Sequence, residues 1–198
     1  MTPRVLRAAS ASSLLLCLLS ACVGNRATPV TSLDDPRDFY PMQVGNAWSY
    51  DVDTGEGTTT LAVTRVESFD GRVAALRTAK AIVRYEATPD GIRLATGDAW
   101  LLRAPLEVGR TWSAPGGREA ELLSRRVSVA TPAGTFQSCV EVREVGGKLD
   151  LEVRTVYCSG VGPVSVSSTM KSDTGDRALT VVARLRGYSV NRTGASDR

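Results

Sequence analysis

The 198-residue chain has 42% hydrophobic and 23% charged residues, an ordinary globular composition that excludes a disordered, fibrous or polytopic membrane protein. Its 24 basic and 21 acidic residues give a formal net charge of +3, which is too balanced for a typical nucleic-acid binder. The chain contains no histidine, so His-dependent hydrolysis and His-bound zinc are excluded.

Residues 1–21 are typical of a secretory signal peptide. Arg4 and Arg7 provide the charged start. The apolar run at 14–19 is shorter than the roughly 20 residues that span a bilayer. The segment closes with Leu19-Ser20-Ala21-Cys22, which resembles the lipobox of bacterial lipoproteins.

The lipobox resemblance implies that Cys22 is the lipid attachment site and the first residue of the mature protein. In that family the leader is cut before the cysteine and its thiol is diacylated, so palmitate labelling is expected. Val23 stands where an Asp retains enterobacterial lipoproteins in the inner membrane, which favours the outer membrane, with the protein facing the periplasm. The alternative is an ordinary cleaved signal in which Cys22 happens to follow Ala21.

The mature chain is predicted to consist of three parts. Residues 22–37 form the lipidated Cys and a flexible polar tether, residues 38–190 a β-rich domain, and residues 191–198 a disordered tail. Without the two leader arginines, 22 basic and 21 acidic residues remain. This near-neutral surface predicts a membrane association through the lipid and no nucleic-acid partner.

Alternating apolar and polar residues between Gly-rich turns predict a mainly β fold. We expect a single domain of about 8–10 antiparallel strands in a curved sheet, sandwich or open barrel. Asp70-Gly71 is the strongest hairpin signal. The stretch 118–126 contains helix formers, but it continues into Val127-Ser128-Val129, which is typical of a strand.

A nine-residue pattern occurs twice, at 41–49 and 105–113. Both copies read Pro, apolar, x, Val, Gly, x, x, Trp, Ser, so Gly45 corresponds to Gly109 and Trp48 to Trp112. Such a pattern makes a tight turn that delivers a Trp onto the first residues of a strand. We expect both tryptophans to plug equivalent ends of the β structure, with a ligand-contact role as the alternative.

Residues 39–50 resemble a motif of uncharacterised bacterial envelope proteins, roughly Tyr-Pro-Leu-x-x-Gly-Asn-x-Trp-x-Tyr. Those proteins also tend to contain a Thr-Pro-Ala-Gly-Thr-Phe stretch, found here at 131–136, and many have a Gly-Val-Gly turn, found here at 160–162. The resemblance implies a secreted or lipid-anchored β-rich domain. It implies no catalytic residues.

Cys139 and Cys158 are candidates for a disulfide, because the bacterial envelope is oxidising. By alternation both lie on the polar face of their strands. A two-residue turn at Gly146-Gly147 would place Cys139 opposite Arg154, too far from Cys158 to bond, whereas a turn of about six residues would bring the two together.

No catalytic motif, metal site or cofactor site is evident in the sequence, and we expect a non-enzymatic binding or scaffolding module that requires no cofactor. The first alternative is a carrier or receptor for a hydrophobic ligand, such as a lipid or acyl chain, which an apolar cavity lined by Trp48, Trp100 or Trp112 would favour. The second alternative is a carboxylate-only hydrolase, which two convergent buried carboxylates would favour. A packed interior with neither feature leaves the interaction module.

Overall fold

The computed structural model describes residues 35–79, 81–170 and 178–191. The predicted signal peptide, the lipid attachment site at Cys22, most of the tether and nearly all of the C-terminal tail lie outside these ranges. The described residues form twelve strands: β1 Ala47–Asp53, β2 Thr59–Phe69, β3 Val73–Arg77, β4 Ile82–Thr88, β5 Gly91–Leu94, β6 Trp100–Arg103, β7 Thr111–Ala114, β8 Arg118–Thr131, β9 Gly134–Gly146, β10 Leu151–Cys158, β11 Gly162–Met170 and β12 Leu179–Ser189.

All twelve strands belong to one antiparallel sheet, in the order β6-β5-β4-β3-β2-β1-β12-β11-β10-β9-β8-β7. The two edge strands meet where the indole Nε1 of Trp112 donates to the main-chain oxygen of Trp100 at 3.1 Å. The sheet is therefore a nearly closed, barrel-like structure, and the predicted mainly β class is confirmed. Twelve strands form instead of eight to ten, because β5, β6 and β7 have four residues each and are too short to show a clear alternation.

Local predictions are also confirmed. Asp70-Gly71 lies in the turn between β2 and β3, where the Asp70 carboxylate accepts the main-chain N–H groups of Arg72 at 2.9 Å and Val73 at 2.6 Å. The stretch beginning at Arg118 is strand β8, not a helix. Among the described residues, no helix is both long and apolar enough to cross a membrane.

Because the sheet is a meander, its turns alternate between two ends of the barrel. The turns β1–β2, β3–β4, β5–β6, β7–β8 and β9–β10 share one end, which we call the rim end. The chain enters β1 and leaves β12 at the opposite end, which we call the plugged end.

The plugged end is covered by the segment that precedes β1. Pro36–Phe39 forms one 3-10 turn, capped by the Asp35 carboxylate, which accepts from Arg37 N. This turn is fixed to the β10–β11 turn by a hydrogen bond from Gly160 N to Asp38 O of 2.7 Å. Phe39, Tyr40 and Met42 are thereby buried in the core.

Candidate functional site

The two copies of the repeated pattern adopt matching turns at the plugged end. Gly45 and Gly109 have φ angles of 87° and 84°, a left-handed conformation that favours glycine. Each glycine N–H donates to the adjacent hairpin strand, Gly45 to Val66 O at 3.1 Å and Gly109 to Leu122 O at 2.8 Å. Both copies of the repeat therefore form the turn that precedes the first strand of a hairpin.

The tryptophans of the repeat are both buried. Trp48 is 1% exposed and Trp112 4% exposed. The indole N–H of Trp48 donates to Val161 O at 2.7 Å, and that of Trp112 donates to Trp100 O as described above. Because their rings are packed and their N–H groups are hydrogen-bonded, both side chains stabilise the fold.

The remaining residues of the envelope-protein motif have structural roles as well. The buried side chain of Asn46 donates to Pro41 O at 2.7 Å and accepts from Asn191 N at 2.8 Å. Tyr40 packs edge-on against Trp48, with ring centroids 5.2 Å apart. The Gly-Val-Gly turn needs glycine at 162, because a Cβ there would lie 3.0 Å from the Trp48 Nε1 atom.

Cys139 and Cys158 form a disulfide that links strands β9 and β10. The register pairs Val145 with Glu152 and Cys139 with Cys158, which is the register that a longer turn produces. The β9–β10 register runs without a shift from Gly146–Leu151 to Cys139–Cys158, so both cysteines lie on the same side of the sheet as Glu141 and Arg154. Both cysteines are nevertheless buried, so the side of the strands that alternation assigns as polar is covered at this position.

At the rim end, one rung of paired residues crosses the sheet on its inner face. Arg118 pairs with Gly146, and Leu151 pairs with both Gly146 and Met170. Met170 in turn pairs with Leu179. Met170 is 37% exposed and Leu179 48% exposed, although both lie on the same face as the buried Val153. At the rim end, these apolar side chains on the inner face of the sheet are thus only partly buried.

A cleft of about 830 Å³ lies at this end, beside the rung. Its walls are two glycine-rich turns, β7–β8 and β9–β10, and the side chain of Arg118. The lining residues are Gly116, Gly117, Arg118, Gly146, Gly147, Lys148, Leu149 and Leu151. A Cβ on Gly147 would lie 2.8 Å from Gly116 O, and its φ of 79° also favours glycine. Glycine therefore permits the close approach of the two turns.

An ion pair lies one rung below the cleft. Arg118 Nε donates to Glu144 Oε2 at 2.9 Å, and Arg118 Nη2 lies 2.9 Å from the same oxygen. Glu144 is 4% exposed and shares the inner face with Val140 and Val142. Burial raises the pKa of Glu144, and the pairing with Arg118 opposes this only in part. The guanidinium is what allows a carboxylate to occupy the inner face.

Two tyrosines, Tyr85 and Tyr157, lie near this carboxylate. Burial, and after it the negative charge of Glu144, raises the pKa values of Tyr85 and Tyr157. The hydroxyl of Tyr50 donates to Pro163 O at 2.8 Å. These phenols remain neutral at physiological pH, so they act as hydrogen-bonding groups and not as bases.

Glu86, the second buried carboxylate, lies on a different part of the sheet. It is clamped by Arg72 and by Arg93, whose Nε lies 2.8 Å from Glu86 Oε2. The hydrogen bond from Arg72 is the main cause that lowers the pKa of Glu86. The strand alternation places Glu86 on the face opposite to Tyr85, whereas Glu144 faces inward with Tyr85, so the two carboxylates do not converge.

Within residues 35–79, 81–170 and 178–191, no group of three or more Asp, Glu or Cys residues is arranged to hold a metal ion. The acidic stretch at 51–56 forms a strand end and a turn, in which Asp53 Oδ1 accepts from Gly55 N at 2.8 Å.

Sequence reasoning missed the ion pair between Arg118 and Glu144. The available signal was an acidic residue at the position that continues the apolar face of Val140 and Val142. A charge at a core position is informative, because it needs a partner. Its partner lies 26 residues away in sequence, so only the β8–β9 pairing identifies Arg118.

Comparisons with known proteins identify the fold alone. No family model and no curated protein sequence matches the chain. A solved structure from Bacteroides fragilis, of a protein assigned as exported with a YmcC-like fold, has a TM-score of 0.50 at 15% identity and covers 76% of this chain and 98% of its own. A second, from Parabacteroides distasonis and assigned as a lipoprotein, has a TM-score of 0.43 at 12% identity with the same coverage. The chain therefore shares its β architecture with a solved bacterial protein.

Proposed function

We propose that this protein is exported, anchored to the bacterial outer membrane through acylated Cys22, and acts in the periplasm as a non-enzymatic binding or scaffolding module. The leader and the Leu-Ser-Ala-Cys sequence support the anchor. The fold shared with a Bacteroides protein assigned as exported supports a location in the cell envelope.

One observation carries the binding role: the contrast between the ends of the barrel. The plugged end is packed with aromatic side chains, and the Trp48 indole N–H and the Tyr50 hydroxyl both donate to main-chain oxygens. The rim end presents a cleft of about 830 Å³, within the volume range of about 300–1,000 Å³ typical of ligand sites. A packed base beneath a cleft that none of the described residues fills favours recognition at the rim end.

The arrangement of carboxylates supports a role without catalysis. Glu144 and Glu86 are each held by arginine and lie on opposite faces of the sheet. Acid–base hydrolysis by carboxylates alone needs two of them across one scissile bond. The carboxylate-only hydrolase is therefore the less supported alternative.

A carrier of hydrophobic ligands is the second candidate function. The expected apolar cavity lined by tryptophans does not favour this function, since Trp48 and Trp112 are packed into the core. Trp100 is half-buried, with the guanidinium groups of Arg93 and Arg103 over its ring. The observation in its favour is the partly exposed apolar rung of Leu151, Met170 and Leu179.

The binding role is tested by affinity purification of the full chain from bacterial membranes after mild crosslinking, followed by mass spectrometry. Leu149→Asp changes an exposed residue of the cleft, and Leu61→Asp changes an equally exposed residue on the outer face of β2. We expect a bound species that the Leu149 variant loses and the Leu61 variant keeps. Saturable turnover of an esterase, peptidase, glycosidase or phosphatase substrate, abolished by Glu144→Gln, would overturn the non-enzymatic role.

The anchor is tested by metabolic labelling with palmitate. Cys22→Ala is expected to abolish incorporation and partitioning into detergent. Cys17→Ala is the matched control, since Cys17 lies inside the leader and is removed with it. Labelling that survives in the Cys22 variant would contradict the lipobox assignment.

A further inference from the structure

We propose that the rim cleft, together with the apolar rung beside it, binds amphiphiles that combine an acyl chain with an anionic head, with the head at Arg118 and Lys148 in the cleft and the chain along Leu151, Met170 and Leu179 on the rung. This inference rests on the proposed binding function and names the ligand class of the same site.

The first support is an apolar surface without a cover among the described residues. Leu151, Met170 and Leu179 stand side by side on three paired strands of the inner wall. An apolar side chain on an inner face is normally buried, yet Leu179 and Met170 are 48% and 37% exposed. An acyl chain lying along this rung would remove that surface from water, which is favourable at about 25 cal/mol per Å².

The second support is a gap in the row of side chains, at the glycine next to Leu151. Gly146 occupies the rung position between Arg118 and Leu151, so no side chain separates the guanidinium from the apolar wall. Glycines also line the opposite side of the cleft. A ligand can therefore contact the charged and the apolar side chains at once.

The third support is the charge of the cleft. The Nε and Nη2 atoms of Arg118 engage Glu144, while Nη1 extends towards Gly116, where an added Cβ would lie 2.9 Å from it. Glu144 neutralises Arg118, and Lys148 adds a further positive charge to the lining. Lys148 is therefore the lining cation that Glu144 does not neutralise, with Asp150 two residues further along the same turn, and its ammonium group favours an anionic head over a cationic one.

The test uses the full chain in bacterial membranes and three photoreactive probes of equal chain length, each with a diazirine in the chain: dodecanoate, lysophosphatidylglycerol and dodecyltrimethylammonium. After illumination, modified peptides are mapped by mass spectrometry. We expect the anionic probes to modify peptides that contain Leu151, Met170 or Leu179, and excess unlabelled dodecanoate to compete. Preference for dodecanoate would identify fatty acids as the ligand, and preference for the lysophospholipid would identify phospholipids.

Two matched pairs of variants separate the cleft from general adsorption. Lys148→Glu is expected to reduce modification by the anionic probes roughly fivefold, the scale of a surface charge interaction, whereas Arg184→Glu on the outer face of β12 leaves it unchanged. Leu179→Asp is expected to reduce modification by every probe, and Leu61→Asp is its control. Equal thermal melting of all four variants shows that the fold is intact.

Equal modification by the cationic and anionic probes, or equal modification of outer-face peptides, would overturn this inference. After such a result the proposed binding role would still hold, provided that the wild type retains the crosslinked species described above and the Leu149 variant loses it. Absence of any such species, together with cleft modification by the anionic probes, would instead overturn scaffolding and retain the amphiphile site.

Discussion

The two ends of the barrel differ in what their side chains do. At the plugged end, Trp48 and Tyr40 are packed against each other, and the buried Asn46 uses its side chain to bind two segments of main chain. At the rim end, glycine turns, a guanidinium and partly exposed leucines surround a cleft. The difference separates residues that hold the barrel together from residues that are free to bind. Substitutions at the two ends should consequently affect different measurements.

The largest effect is expected from Trp48→Ala at the plugged end. Truncating a large buried aromatic costs about 3–5 kcal/mol, and here the Val161 carbonyl also loses its donor. Chemical denaturation of this variant and of Leu179→Ser at the rim end compares the ends directly, with a loss below about 1 kcal/mol expected for the rim variant. A near-native midpoint for the Trp48 variant would contradict the structural role of the plugged end.

A smaller loss of about 3 kcal/mol is expected when the buried Cys139 and Cys158 are both replaced by alanine. The disulfide closes a loop with a sequence separation of 19, and a loop of about that length restricts the unfolded chain by roughly this amount. Denaturation of the wild-type protein with and without reductant should reproduce the difference. If reductant leaves the stability unchanged, the bond contributes nothing in solution.

At the rim end, Arg118→Met is expected to cost about 2 kcal/mol, because it leaves the buried carboxylate of Glu144 without its partner. The double variant Arg118→Met/Glu144→Leu should recover most of this loss, since it removes both charged groups. A double variant that is less stable than Arg118→Met would show that the pair itself, and not the relief of an isolated charge, stabilises the rim end.

The smallest effects concern pH and have opposite signs for the two buried carboxylates. The pKa of Glu144 is raised above 4.5 by burial, so its contribution to stability is greatest below that pH and is lost as pH rises through the folded-state pKa. The pKa of Glu86 is lowered from 4.5 by Arg72 and Arg93, so its contribution is present above that pH and is lost as pH falls.

Denaturation from pH 3 to pH 8 of Glu144→Gln and Glu86→Gln, each compared with the wild type, checks these signs. The stability of the wild type relative to Glu144→Gln should decline with rising pH, and relative to Glu86→Gln it should increase. The same slope for both variants would contradict the contrast between a carboxylate held inside the barrel and one clamped on its outer face.

The mainly β class and the hairpin at Asp70-Gly71 follow from the sequence because each depends on local patterns, namely alternation and turn chemistry. The repeat of Gly45 and Trp48 at Gly109 and Trp112 likewise identifies two equivalent hairpin starts, because glycine is favoured wherever φ is positive. The register that brings Cys139 opposite Cys158 depends on the length of one turn, which the Gly-Gly pair alone does not specify.

The tertiary structure decided which charged residues lie together and which end of the barrel is filled. Arg118 meets Glu144 only because β8 and β9 pair in one register, and a change of one residue would turn Glu144 to the outer face. The burial of both cysteines is likewise a tertiary effect, because their unbroken register keeps them on the side of Glu141 and Arg154, where alternation alone predicts a polar face. Local sequence thus determined the mainly β class and the hairpin turns, and it predicts the anchor at Cys22. The candidate site arises from contacts between residues distant in sequence, whose free energy depends on packing and burial that no local pattern records.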